Sequence, residues 1–414
     1  MQRIAWLLVL ALSLVALALT GCDLAGTDPP TDPVPIELDA TGKALVEQSA
    51  AFGTGLFAQV AADEEDDVML SPLSASVALT MLLNGADGET YAQIHEMLGY
   101  APEQDLDAVN AAYRSLREQL LAADPSVQLA LANAIFYDEA FDAASPFKAP
   151  FLAAMRGPFD ATVEGLDFAA PASVDVVNGW AADNTNDRIP TVLDELDPDL
   201  VMLLMNALTF KGDWTAPFDA DLTADAPFRL GDGTTTDVPT MNGKLPARLV
   251  AGDGYQALEL TYGRQNFSMV VFLPEADLPA FAGLLDAGLW TDATTRLDAI
   301  EAPSDVEVRL PRFTFSFERT LNDDLQALGM VDAFDGRADL SRLNDDPRLQ
   351  VSFVKQNTFV DVGEEGTEAA AVTTIGVERT SLGPSFVADR PFVFAVRERT
   401  TNTLLFIGQV TDPS

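Results

Sequence analysis

Apolar positions in the first third of the chain recur at helical spacing. Leu45, Ser49, Phe52, Leu56 and Val60 share one face and stop at the acidic break Asp63–Asp67. Ser71 followed by Pro72 predicts an N-cap with proline in the first turn. The next stretch, "LSASVALTMLLNG", continues as a helix with a small-residue face and ends at Gly85. Further helices are predicted over Thr90–Leu98, closed by Gly99, and over Leu106–Ala122. After Gln128 the period changes. The runs "VQLALANAIFY", "VMLLMNALTF", "YQALELTY", "FSMVVFLP", "VEVRLPRFTFSF", "VSFVKQNTFVDV" and "PFVFAVRE…TLLFIGQV" are β-branched or aromatic and bounded by Gly, Pro and Asp. "VMLLMNALTF" is apolar throughout, as a strand covered on both faces would be. Helix-like segments intervene at Ala172–Asn184 and Leu321–Leu328. Helices first and sheets later predict a mixed α+β fold. Nothing after about Thr41 marks a linker or repeat, so 41–414 reads as a single domain.

The N-terminus has a different pattern. Arg3 precedes an apolar run, Ile4 to Leu19, broken only by Ser13. That is short for a membrane span, which needs roughly 20 residues, and suits a secretory signal over residues 1–21. Leu19-Thr20-Gly21-Cys22 resembles the lipobox of bacterial lipoproteins, which implies cleavage before Cys22 and its acylation. The plainer alternative is a signal peptide with an incidental cysteine. Two or three acyl chains, at about 0.8 kcal/mol per buried CH₂, would anchor the protein stably without a spanning helix. The expected location is then the cell envelope, on the periplasmic or extracellular face, with the bilayer as a partner through Cys22. Residues 22–40, rich in Pro and Asp, read as an extended tether.

Charge narrows the partners. With 24 basic and 64 acidic residues the formal charge is −40, a field that repels nucleic acid and anionic membrane surfaces. A salt-adapted surface and a biased genome composition explain so much Asp and so little Lys about equally well. Cys22 is the only cysteine, so acylation would leave neither a disulfide nor a nucleophilic thiol. His95 is the only histidine; a Ser-His-Asp triad would have to use it, and a His-rich zinc site is ruled out. It reads more simply as an ordinary residue of a short helix. "GDGTTTD" (Gly231–Asp237) could be a cation loop but fits a hairpin turn better. No glycine-rich phosphate loop occurs in a strand–helix context. Among the carboxylates no pair stands out as a glycosidase-like couple, and runs such as Glu64-Glu65-Asp66-Asp67 read as solvated surface. The expectation is a protein that is not an enzyme and has no cofactor or metal.

One segment is built ambiguously. "VGEEGTEAAAVTTIGVERTSLG" (Val362–Gly383) opens on a turn and continues in alternation. Thr367, Ala369, Ala371, Thr373 and Ile375 would face one side of a strand, and Glu368, Ala370, Val372 and Thr374 the other. The first set is small and uncharged at its start, so burying it costs little. Gly366 supplies a pivot, and "VSFVKQNTFVDV" would lie beside a strand folded back there. The segment could be a loop in one state and a strand in another, or simply a small-residue surface loop.

"DVGEEGTEAAAVTT" resembles the reactive-loop hinge of serpins, and "FVADRPFVFAVRE" (Phe386–Glu398) the strand that follows that loop. "LSPLSASVALTMLLNGADGET", "LANAIFY", "NALTFKGDWTAPFD" with its tryptophan Trp214, and "VRLPRFTFSFERTLNDDLQALGMVDAFDGRADLS" also resemble family segments, so the likeness runs from about residue 45 to 412. It implies three β-sheets, eight or nine helices and an exposed loop, about 364–385, offered as bait to a protease. The protease forms an acyl-enzyme, and the freed arm then inserts into the main sheet and traps it.

The resemblance also assigns residues. The hinge is Glu364, Glu365, Gly366, Thr367, Glu368, Ala369, Ala370 and Ala371, and small residues there fit inhibitory members. The family's spacing places the cut at Thr380–Ser381, which would suit an elastase-like or subtilisin-like protease. The alternative, Arg379–Thr380, would suit a trypsin-like enzyme; a cysteine protease is the variant target class. Ser71, Ser74, Asn206, Trp214 and Gln356 fall in the region where the sheet opens. Gln356 stands where the family generally has a histidine, and its amide can both donate and accept. The chain is expected to be a monomer.

Overall fold

Side-chain caps set where most helices begin. Asp39 accepts from the Gly42 amide at the start of α1 (Ala40–Asp63), which leads through β1 (Val68–Leu70) to α2 (Pro72–Leu83), capped by Ser71. After α3 (Gly88–Met97), Asp105 caps α4 (Leu106–Ala122). Strand β2 (Gln128–Asp138) then ends in Asp138, which caps α5 (Glu139–Ala144). Helix α6 (Ala149–Arg156), strand β3 (Thr162–Leu166) and helix α7 (Ala172–Asn184) lead to the long strand β4 (Met202–Asp213). The chain continues through β5 (Ala224–Arg229), β6 (Thr235–Gly252), β7 (Tyr255–Tyr262) and β8 (Phe267–Pro274). Asp277 and Asp286 cap α8 (Leu278–Leu284) and α9 (Ala287–Asp298). Then come β9 (Ser304–Pro311), β10 (Phe313–Thr320), α10 (Asn322–Ala327), β11 (Lys355–Val362) and β12 (Gly366–Thr367). Strands β13 (Ser385–Val387), β14 (Phe392–Glu398) and β15 (Thr403–Val410) close the fold.

The computed structural model describes residues 32–367 and 383–414, apart from positions 198 and 276. Two sheet systems organise these residues. One sheet has the order β10-β11-β12-β4-β2-β3. The other path, β1-β15-β14-β8-β7-β6-β9-β13, divides at β6. Residues 248–252 of β6 pair with β7, whereas residues 240–247 pair with β9 and the start of the strand pairs with β5. The architecture is thus the expected α+β arrangement of three sheets. Strands β8, β14 and β15 are buried at every position, and α1 packs over β15. Ten α-helices lie among the described residues, where eight or nine were expected; α5 and α10 are only 6 residues long.

Several elements escape the sequence pattern. Strands β5 and β6 carry Pro227, Pro239 and Pro246, which argue against strand in a linear reading. Helix α9 has a buried stripe, Trp290, Ala293, Thr294 and Leu297, at ordinary helical spacing. "GDGTTTD" lies at the β5–β6 hairpin, where Asp232 accepts from both the amide and the hydroxyl of Thr234. The acidic break is not merely solvated. Glu64 pairs with Arg319 at 2.6 Å, and Asp67 accepts from the Thr411 amide at 2.6 Å. Residues 34–37, in the stretch expected as tether, lie against the body: the Asn266 side chain bonds both the amide and the carbonyl of Val34, and Gln119 does so for Glu37.

Candidate functional site

The last residues before the ambiguous segment are woven into the six-stranded sheet. Gly366 and Thr367 pair with Asp213 and Gly212 of β4 on one side, and Thr367 pairs with Val362 of β11 on the other. Gly366 is required here for two reasons. Its φ is +156°, and a Cβ at this position would collide with the carbonyl of Gly212. Gly366, expected as a pivot, is here a point of close backbone approach.

A set of long-range contacts holds this hinge. Glu364 is 7% exposed, and its carboxylate accepts from Arg312 Nε at 2.7 Å, from Arg312 Nη2, and from the Thr223 hydroxyl at 2.6 Å. Burial alone would push the Glu364 carboxyl up, but the Arg312 and Thr223 hydrogen bonds outweigh it and hold it below its ordinary value. The Phe218 amide donates to the Glu364 carbonyl, the Trp214 amide to that of Glu365, and the Trp214 indole to that of Gly363. The Trp214 ring lies parallel to that of Tyr262, 4.3 Å between centroids. The Tyr262 hydroxyl is 2.7 Å from Thr367 Oγ1, and burial pushes its phenol well above the ordinary value, so it stays neutral.

Below the hinge the sheet is parted. Among the described residues β4 and β11 pair with β12 but nowhere with each other. A cavity of about 400 Å³ lies there, lined by residues 202–208 of β4, residues 355–358 of β11, Ser74 of α2 and its N-cap Ser71. A neutral network spans it from beneath. Gln356 Oε1 accepts from the Ser71 amide at 3.2 Å, while its Nε2 donates to the Ser71 carbonyl at 2.8 Å. The Ser71 hydroxyl donates to the Leu405 carbonyl, and Ser74 donates to Asn206 Oδ1. Asn206 Nδ2 in turn donates to Asn133 Oδ1 at 2.6 Å, and Asn133 donates to the Phe159 carbonyl. Chemically, the site is a slot between two strands with one end already started as a third strand.

Ser71, Ser74, Asn206 and Gln356 come together in one hydrogen-bonded chain. Trp214 belongs to the hinge end; it is eight positions beyond Asn206 along β4, roughly 26 Å at strand rise. Arg312, Thr223, Tyr262 and Asn133 were not foreseen, because their relation to the hinge is set by distant strands and leaves no local signal. Glu368, Ala369, Ala370, Ala371, Arg379, Thr380, Ser381 and Cys22 lie outside the described residues. His95 sits on α3 between the rings of Tyr91 and Tyr100, where burial lowers its imidazole below the ordinary value.

Comparison with known proteins places this geometry. Residues 47–413 match the family described as Serpin (serine protease inhibitor). Iripin-3 of Ixodes ricinus is 35% identical over 83% of this chain and 88% of its own. The leukocyte elastase inhibitor of Bos taurus is 33% identical over 84% of this chain and 93% of its own. Both are eukaryotic proteins, and neither name speaks of a lipid anchor. Among solved structures, the thermophilic serpin tengpin in its native state has a TM-score of 0.81 at 27% identity, covering 92% of this chain and 97% of that one.

Proposed function

This chain belongs to the serpin family, and on that premise we propose that it is a suicide-substrate inhibitor of a serine protease, with a cysteine protease as the variant target. The protease nucleophile attacks the carbonyl of Thr380, or of Arg379 in the alternative register, and the bond to Ser381 or Thr380 breaks as the acyl-enzyme forms. The freed arm zips into the slot between β4 and β11 before water reaches the ester. One observation carries the proposal: β12 is strand-paired on both sides, Gly366 and Thr367 to β4 and Thr367 also to β11, between two strands that do not pair with each other among the described residues. Extending that start by about a dozen residues adds roughly ten ladder hydrogen bonds, on the order of 10 kcal/mol at about 1 kcal/mol net each. This rivals the stability of a whole domain, so the intact state is kinetically held.

The test is incubation with elastase-like, subtilisin-like and trypsin-like proteases followed by denaturing electrophoresis. An adduct near the summed mass is expected, lost in Thr367→Arg, and the mass of the released C-terminal peptide identifies the cut bond. Clean cleavage by all three classes, unchanged in Thr367→Arg, would make the protein a non-inhibitory serpin cut as a plain substrate. Acylation of Cys22 completes the proposal by holding the inhibitor on the cell envelope. Cys22→Ala should move the protein to the soluble fraction, and an unchanged membrane fraction would remove the anchor.

A further inference from the structure

Gln356 grips a single residue with both ends of its amide, accepting from the Ser71 amide and donating to the Ser71 carbonyl. It is buried, and the side chains that continue the network, Ser71, Ser74, Asn206 and Asn133, are all neutral. The elements packed around it add no histidine. Helix α2, β1 and β15 carry no titratable side chain at all. The charged residues lining the cavity are Asp199, Arg348 and Lys355. Lys355 is paired with Glu318 at 2.7 Å and Arg348 with Asp346 at 2.6 Å. Arg319, opposite Gln356 in the β10–β11 register, turns to Glu64 and Asp324. Histidine is the side chain whose ordinary charge change falls between about pH 5 and 8, and the only one in the chain, His95, is on α3.

We propose that Gln356 is a positioning residue that makes the hold of β11 on Ser71, the N-cap of α2, independent of pH between about 5 and 8. An imidazole in this place could donate and accept only while neutral; protonation would remove the acceptor that the Ser71 amide needs. The carboxamide keeps both roles at every pH. An inhibitor so built holds its slot with the same grip in acidified and neutral surroundings. The inference rests on the strand-insertion reading for its functional meaning, but its test does not use inhibition.

The measurement is hydrogen exchange of the β11 amides, by mass spectrometry, as the ratio of variant to wild type at each pH. In Gln356→Glu the ionised carboxylate still accepts from the Ser71 amide but cannot donate to the Ser71 carbonyl, and burial raises its pKa. The ratio should be near one at the acid end and at least about tenfold by pH 8, the cost of an unmade hydrogen bond to a charged group. Gln356→His should slope the opposite way. A flat ratio for both variants would overturn the proposal. So would a wild-type exchange rate, corrected for intrinsic chemistry, that follows a sigmoid between pH 5 and 8, with or without His95→Gln. Should the glutamate variant not fold, the wild-type and histidine profiles decide. Failure of the insertion reading registers separately, as a nicked protein that melts no higher than the intact one.

Discussion

The hydroxyl of Tyr262, at the end of β7, lies 2.7 Å from Oγ1 of Thr367, the last described residue of the hinge. Tyr262 is fully buried and stacked on Trp214, so it is a rigid peg between two sheets. Tyr262→Phe keeps the stack and deletes the bond. The hydroxyl of Thr367, a buried residue, is then left without that partner. The variant should lose about 1–3 kcal/mol of stability and expose the hinge sooner to proteolysis. An unaltered denaturation midpoint together with unaltered cleavage rate would show that the peg does not hold the hinge.

Glu364 ties the same hinge to Arg312 and supplies an acid-sensitive contact. Its folded value lies below the ordinary 4.5, so its contribution is whole above pH 4.5 and is lost as pH falls through the lowered value. Arg312 is half exposed, which screens the pair and keeps the effect modest. Acidification from pH 5 to 3 should therefore loosen the hinge in the wild type and less so in Glu364→Gln. Amide exchange of residues 363–367 reads this directly, and equal acid response in both proteins would dismiss Glu364 as the cause.

The core holds a stronger pair. Arg397 is 0% exposed and donates to Glu259 at 2.6 Å and to Asp298 at 2.6 Å, and Arg399 and Ser268 also donate to Glu259. Burial raises the Glu259 carboxyl, but Arg397 and Arg399 more than reverse it, to about 2. The stabilisation is thus present above the ordinary carboxylate value and fails only as pH drops through about 2. Arg397→Met leaves Glu259 buried with a weakened shell and should cost about 3–5 kcal/mol. Denaturant unfolding measures it; a loss under about 1 kcal/mol would mean that Arg399 and Arg248, whose Nη1 lies 3.4 Å from Glu259 Oε2, suffice.

Gly366→Ala tests the close approach of hinge and β4. The added methyl cannot coexist with the Gly212 carbonyl, and alanine disfavours the observed φ. Thr367 should leave its place between β4 and β11, seen as faster exchange of its amide and a lower melting temperature. Intact pairing with unchanged melting would contradict the required glycine.

Much of the scaffold was readable along the chain. The helical stripe of Leu45, Phe52, Leu56 and Val60, the Ser71-Pro72 start of α2, and the apolar run of β4 are local signals, and each became a helix or strand as expected; β4, however, is not covered on both faces, because Met202, Leu204 and Met205 line the cavity and are only half-buried. Strands β5 and β6 were hidden because Pro227, Pro239 and Pro246 interrupt their pattern, although the two pair with each other across a short hairpin. The contact of Gln356 with Ser71 joins residues that the family resemblance had placed in one region, whereas the small residues after Thr367 lie outside the described residues.

What the sequence determined was the capacity of residues after Gly366 to become a strand, since alternation and side-chain size are properties of the segment alone. Only the tertiary structure decided where that strand begins, because β4 and β11 are about 140 residues apart in the chain, and their separation in space follows from the packing of both sheets. The same holds for Tyr262, Arg312 and Thr223: their types are written in the chain, but their convergence on the hinge is a consequence of topology.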